Sequence, residues 1–162
     1  MRDEVDDLVE AWARERSDLD LAPVEIFSRI SRLARHLDLA RREAFTAHAI
    51  EAWEFDVLAA LRRAGKPYQL SPGRLLRETL VTSGTMTNRV DRLTARGFVE
   101  RLADPADRRG VIVRLTPDGK RAVDGAFAAL LDAESALLAG LSDRDRTKLA
   151  ALLRPLLAPF AG

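Results

Sequence analysis

The chain has 162 residues, 47% hydrophobic and 31% charged, with a formal net charge of only +1. That is the composition of a globular protein, with length enough for a real core and for one domain. It contains no cysteine, which excludes disulfides, thiolate zinc sites, thiol catalysis and cysteine-based redox sensing.

The opening MRDEVDDLVE lacks the charged-then-apolar layout of a signal peptide, and no apolar run reaches the length of a membrane span. A cytoplasmic protein with no membrane partner is expected. Val5, Leu8, Val9 and Trp12 recur at helical spacing and predict an amphipathic helix over about 3–17. SDLDLAP breaks it. Pro23 suits a first helical turn, and a long helix to about 46 carries Ile26, Phe27, Ile30, Leu33, Ala34 and Leu37 on one stripe. A third helix, about 51–64, holds Phe55, Leu58, Ala59 and Leu61 and stops at Gly65. Tyr68–Leu70 reads as a short extended piece.

Ser71-Pro72 is an N-cap followed by proline, opening a short helix through Leu80. Thr82 or Ser83 then caps a second helix, which Gly97 closes after Arg96. Two short, close, separately capped helices predict a helix-turn-helix. Residues 98–102 and 111–115 alternate as strands, with ADPADRRG supplying the turn between them. A capped helix beside a hairpin bearing Arg108 and Arg109 is the layout of a winged helix-turn-helix. Thr116-Pro117 repeats the cap-plus-proline signal and opens a helix to about 139. Ser142 to Asp145 resembles a capping box with Asp in place of Glu and launches a last helix rich in leucine and alanine. The expected fold class is mainly α with a small β-hairpin wing (α+β).

Charge is distributed unevenly. Residues 74–121 hold eleven basic and six acidic side chains, a net +5, which leaves −4 for the rest. In the first twenty residues eight acids face three arginines. A basic middle between acidic flanks can hold phosphate while the flanks stay off it.

At about 100° per residue, Met86, Val90 and Leu93 fall on the inner side of the 83–96 helix. Gly84, Asn88, Asp91, Arg92 and Ala95 fall broadly opposite. Ser83, Thr85, Thr87 and Asn88 occupy the first turns, the part of a recognition helix that meets base edges. Asparagine can pair with adenine, and hydroxyls can serve bases or phosphates. Ser83 and Thr87 could equally cap and solvate the helix. Arg108 and Arg109 suit minor-groove insertion or phosphate neutralisation; one of them could instead pair with Asp104 or Asp107. Arg74 and Arg77, on the preceding helix, are candidate phosphate contacts, and Arg92 is counted with the DNA-facing set. Catalysis is not expected. His36 and His48 are the only histidines, no nucleophile motif or phosphate-binding glycine loop appears, and the scattered acids form no metal site. No cofactor is expected. A winged helix that serves only protein interaction remains the alternative.

EFDVLAALRRAG at 54–65, SGTMTNRVDRLTARGFVER at 83–101 and DPADRRGVIVRLTPDGK at 104–120 resemble the MarR family of winged-helix transcription regulators, and the resemblance spans nearly the whole chain. Ala106 departs from it, where relatives often carry a further wing arginine. The resemblance implies a homodimer on a pseudo-palindromic double-stranded DNA operator, with 1–50 and 117–162 as the helical dimerisation region and 51–116 as the winged lobe. It implies repression as the default. In this family one wing arginine is expected to probe DNA and the other to hold the wing.

The chain also resembles the urate-responsive subgroup, through Trp12 on an extra first helix, Asp56 on the third helix, and Arg89 and Arg101. Urate is a planar, partly anionic purine. Trp12 would give it a flat apolar partner, the arginines planar donors, and Asp56 an acceptor for a ring N–H. Arg89, on the inner edge of the recognition helix, would carry the ligand signal to that helix. The same residues could instead be structural, with Trp12 in the core and Asp56 paired to Arg89 or Arg101. Xanthine, a phenolic acid or a planar antibiotic would satisfy the same chemistry as urate.

Overall fold

The computed structural model describes residues 2–79, 82–105 and 107–160, and for 107–109 the backbone alone. The chain divides into two compact units, residues 1–41 and 42–162.

In the first unit, α1 (Glu4–Glu15) begins at a full capping box: the Asp3 carboxylate accepts from the backbone of Val5 and Asp6, while Asp6 accepts from the backbone of Asp3. Arg29 and Arg32 of α2 (Ala22–Ala47) bind this acidic first turn, Arg29 donating to Asp3 and Asp6 and Arg32 to Glu4. The acids that deplete the N-terminal charge thus cap a helix and tie α1 to α2. The apolar stripe read on α2 lies open: Ile26, Phe27, Ile30 and Leu33 are all exposed.

The second unit holds the core. Its elements are α3 (Ala52–Arg63), β1 (Gln69–Leu70), α4 (Pro72–Thr79), α5 (Ser83–Ala95), β2 (Val99–Asp104), β3 (Asp107–Leu115), α6 (Pro117–Leu137) and α7 (Asp143–Leu157), followed by a 3-10 turn. Leu58, Leu61, Leu75, Met86, Leu93 and Val113 are fully buried together, so one face each of α3, α4, α5 and β3 closes a single core. Such burial of apolar area is the main stabilising term.

The sheet is three-stranded and antiparallel, in the order β1-β3-β2. Two features go beyond the sequence reading. The short extended piece at 69–70 pairs with Arg114 and Val113 as a third strand. The hairpin strands also run further, and Asp104 pairs with Asp107. Turn-forming residues mark where a turn is permitted, but the backbone ladder continues into them past an irregularity at Ala103/Asp104. Arg108 and Arg109 therefore lie on β3 and not in the loop; their side chains fall outside the described residues, as does the departure at Ala106.

The caps follow the sequence closely. Thr82, not Ser83, is the N-cap of α5, its hydroxyl accepting from Thr85 N at 3.4 Å. Gly97 takes φ +72°, the left-handed conformation that ends α5. Thr116 caps α6 by accepting from Gly119 N at 3.0 Å. Ser142 caps α7 by accepting from Asp145 N at 3.2 Å, while the Asp145 carboxylate accepts the Ser142 hydroxyl at 2.6 Å. α7 buries none of its residues. Among the described residues no helix is long and apolar enough to cross a membrane.

Candidate DNA-reading face

Recognition depends on how rigidly α5 is presented, and presentation begins in the core. Met86, Val90 and Leu93 are buried at 2% exposure or less. Their burial turns Ser83, Gly84, Thr85, Thr87, Asn88, Asp91 and Arg92 outward, all exposed, as the helical angles require. Arg89 sits between the two faces and is half-buried.

The outward side chains are not equally available. The Thr87 hydroxyl donates to Ser83 O at 3.2 Å, so it can offer a base only its lone pairs. Thr85 and Thr82 share a hydroxyl–hydroxyl bond of 2.9 Å. The Asn88 amide has no partner among the described residues. With both donor and acceptor free, it is the side chain best suited to a bidentate base contact.

α5 is fastened from its middle to its C-terminal end to the start of α3. Along its second half, the Arg92 guanidinium lies 4.6 Å and the Arg89 guanidinium 5.6 Å from the centroid of the Trp53 ring. Each such contact is worth about 0.5–1 kcal/mol at an exposed site. Glu51 completes the arrangement: one carboxylate oxygen accepts from Arg92 at 3.0 Å and the other from the Trp53 indole N–H at 2.7 Å. Trp53, Gly84, Thr85, Asn88, Arg89 and Arg92 line an open hollow of about 460 Å³. Past the C-terminal end, Arg96 donates to the fully buried Glu54 and, at 2.6 Å, to the Ala49 carbonyl. Glu54 also accepts from the backbone of Glu51 at 2.9 Å. Arg101 on β2 reaches Asp91 at 2.6 Å, joining the middle of α5 to the wing.

Arg74 and Arg77 are exposed on α4 while Leu75 between them is buried, so both arginines lie on the open side of that helix. Of the candidate ligand residues, Trp12 lies on α1 in the first unit, about half exposed. Asp56 lies on the exposed side of α3, in a hollow shared with Phe55, Ala59, Arg63, Glu78 and Thr79. Arg89 is over Trp53 and Arg101 is on Asp91, so Asp56, Arg89 and Arg101 stand in three different settings. The sequence reading overlooked Trp53, Glu51 and Glu54. Trp53 faces residues more than thirty positions later, and no local spacing signals that encounter; the EAWE run at 51–54 registers only as a helix start.

The profile of the MarR family matches residues 50–110, from the end of the α2–α3 connection to the wing. The chain is 35% identical to the HTH-type transcriptional regulator PecS of Dickeya dadantii, over 93% of this chain and 90% of that one. Among solved structures it is similar to a mutant of MarR from E. coli complexed with operator DNA, with TM-score 0.69 and 28% identity over 85% of this chain and 96% of that chain. It is also similar to BpsR of Bordetella bronchiseptica, whose DNA binding is regulated by 6-hydroxynicotinic acid, with TM-score 0.64 and 29% identity over 81% and 91% of the two chains. A relative this similar over nearly the full length of both chains, together with a recognition helix seated between α3 and a three-stranded wing, leads to one assignment: the chain belongs to the MarR family of DNA-binding transcriptional regulators, not to an enzyme family.

Proposed function

We propose that this protein is a repressor that binds a pseudo-palindromic operator as a homodimer and is released by a small anionic aromatic or purine ligand, with urate as the leading candidate. The observation that carries the DNA half is the split of α5 into a buried apolar face and an open polar one, with the Asn88 amide at its centre unpartnered among the described residues. Ser83, Thr85, Thr87 and Asn88 read bases. Arg74, Arg77 and Arg92 hold phosphates, and Arg108 and Arg109 serve the wing.

The homodimer reading rests on apolar surface that the chain leaves uncovered. Ile26, Phe27 and Leu33 on α2, Phe127 and Leu131 on α6, and Leu152, Leu156 and Leu157 on α7 are all exposed. Apolar exposure on this scale marks an interface. Residues 1–50 and 117–162 are accordingly the dimerisation region and 51–116 the winged lobe.

The ligand reading is supported by the full-length likeness to PecS and by the presence of all four residue types, Trp12, Asp56, Arg89 and Arg101. Arg89 adds a physical reason. It is half-buried on the recognition helix itself, so a ligand that draws it from Trp53 would act directly on the helix that reads DNA. BpsR responds to a planar heteroaromatic acid, which makes 6-hydroxynicotinate the informative competitor to urate.

A mobility shift on the DNA beside the protein's own gene, titrated with urate, xanthine and 6-hydroxynicotinate, tests this. Urate should dissociate the wild-type complex and fail on Arg89→Ala, with thermal-shift data on the free proteins separating ligand binding from DNA binding. Persistence of the wild-type complex at millimolar urate would rule urate out as the effector.

A further inference from the structure

We infer that Glu51 stands in for a DNA phosphate on Arg92 and thereby limits the protein's affinity for DNA. The inference rests on the reading of Arg92 as a phosphate contact. Arg92 lines the same hollow as Thr85 and Asn88, on the open face of α5. Its guanidinium is already occupied on two sides, by the Trp53 ring at 4.6 Å and by a Glu51 carboxylate oxygen at 3.0 Å. A carboxylate and a phosphate offer a guanidinium the same anionic oxygens at the same distance. Both members of the pair are more than half exposed. Exposed pairs of this kind are weak, and a phosphate can displace the carboxylate.

When it does so, Arg92 exchanges one anion for another. The freed Glu51 carboxylate is left beside the DNA backbone, still accepting the Trp53 N–H at 2.7 Å with its other oxygen. The exchange therefore gains little net charge neutralisation, and a bare carboxylate faces phosphate. Glu51 is in this sense a positioning residue. It keeps Arg92 flat on Trp53 in the free protein, and it makes each lobe's grip on DNA weaker and less salt-dependent than its arginines alone would make it.

Glu51→Gln isolates the charge, because the amide oxygen can still accept from Trp53. Fluorescence anisotropy with operator DNA should read an affinity about two- to fivefold tighter, the equivalent of losing one exposed ion pair. The slope of log K against log salt should steepen by about 0.9 per bound lobe, since Arg92 now neutralises a phosphate without first leaving a carboxylate. The same substitution in an Arg92→Ala background should give a smaller gain and a smaller change of slope, since only the carboxylate's repulsion of phosphate is then removed. Equal or weaker binding by Glu51→Gln overturns the inference, as does the same gain with and without Arg92. If Arg92→Ala alone binds with wild-type affinity and slope, the reading of Arg92 as a phosphate contact fails first, and the exchange fails with it. Glu51→Ser, which restores a strong N-cap, gives the same readout should Glu51→Gln lower the melting temperature of the lobe.

Discussion

Asn88 and Arg92 lie one helical turn apart on α5 and are predicted to fail differently. Asn88 offers a free amide at the centre of the open face, whereas Arg92 offers charge. Asn88→Ala should cost about 1–3 kcal/mol at one base position and relax sequence preference there, leaving the salt slope intact. Arg92→Ala should weaken binding to all sequences alike, which competition titrations against point-substituted operators will separate. At this scale the sequence was legible wherever the helical angle alone decides placement. It put Met86, Val90 and Leu93 inside, Asn88 outside and Arg89 between them, as found. It could not reach Trp53 or Glu51, because their meeting with Arg92 is produced by packing α3 against α5 and leaves no periodic trace.

Between elements, α5 is a strut fixed along its second half by α3 and passed on to α6 through one tight junction. The Thr116 hydroxyl donates to Gly97 O at 2.7 Å, and Thr116 N donates to Phe98 O at 3.0 Å. Gly119, on the first turn of α6, packs so closely on the Phe98 carbonyl that an added Cβ would collide with backbone. Gly119→Ala should destabilise the protein by at least about 1–3 kcal/mol, seen as a lower melting temperature, because the backbone of the α5–β2 turn must move to admit it. Gly84→Ala meets open space and should leave stability nearly unchanged.

α3 and α6 are joined by Asp124, which accepts from Arg62 at 2.8 Å and Lys120 at 2.7 Å. Desolvation pushes the Asp124 carboxyl up, but hydrogen bonds from Lys120 and Arg62 together hold it below its ordinary value. A carboxyl depressed in the folded state stabilises fully above its unfolded value of about 3.9 and stops doing so as pH falls through the folded one. Asp124→Asn should therefore lower stability at neutral pH by less than about 1 kcal/mol, since the three side chains are over a third exposed, and the difference should vanish once acidification has protonated the depressed carboxyl. Caps made the element boundaries legible, because Thr82, Thr116 and Ser142 act within a turn of themselves. The third strand was not, because Gln69–Leu70 becomes a strand only by pairing with β3.

For the molecule as a whole, a net charge of +1 conceals a lobe built to meet phosphate and a remainder that is net acidic. The structure leaves leucine and phenylalanine faces of α2, α6 and α7 open. What covers them follows from no residue pattern. Whether α5 and the wing read operator DNA is decided by fluorescence anisotropy of the whole chain on the DNA beside its own gene, at two salt concentrations and against an unrelated duplex. Sequence-specific binding with two chains per site and affinity that falls steeply with salt is expected. Binding that does not distinguish the two duplexes, or that ignores salt, would contradict it.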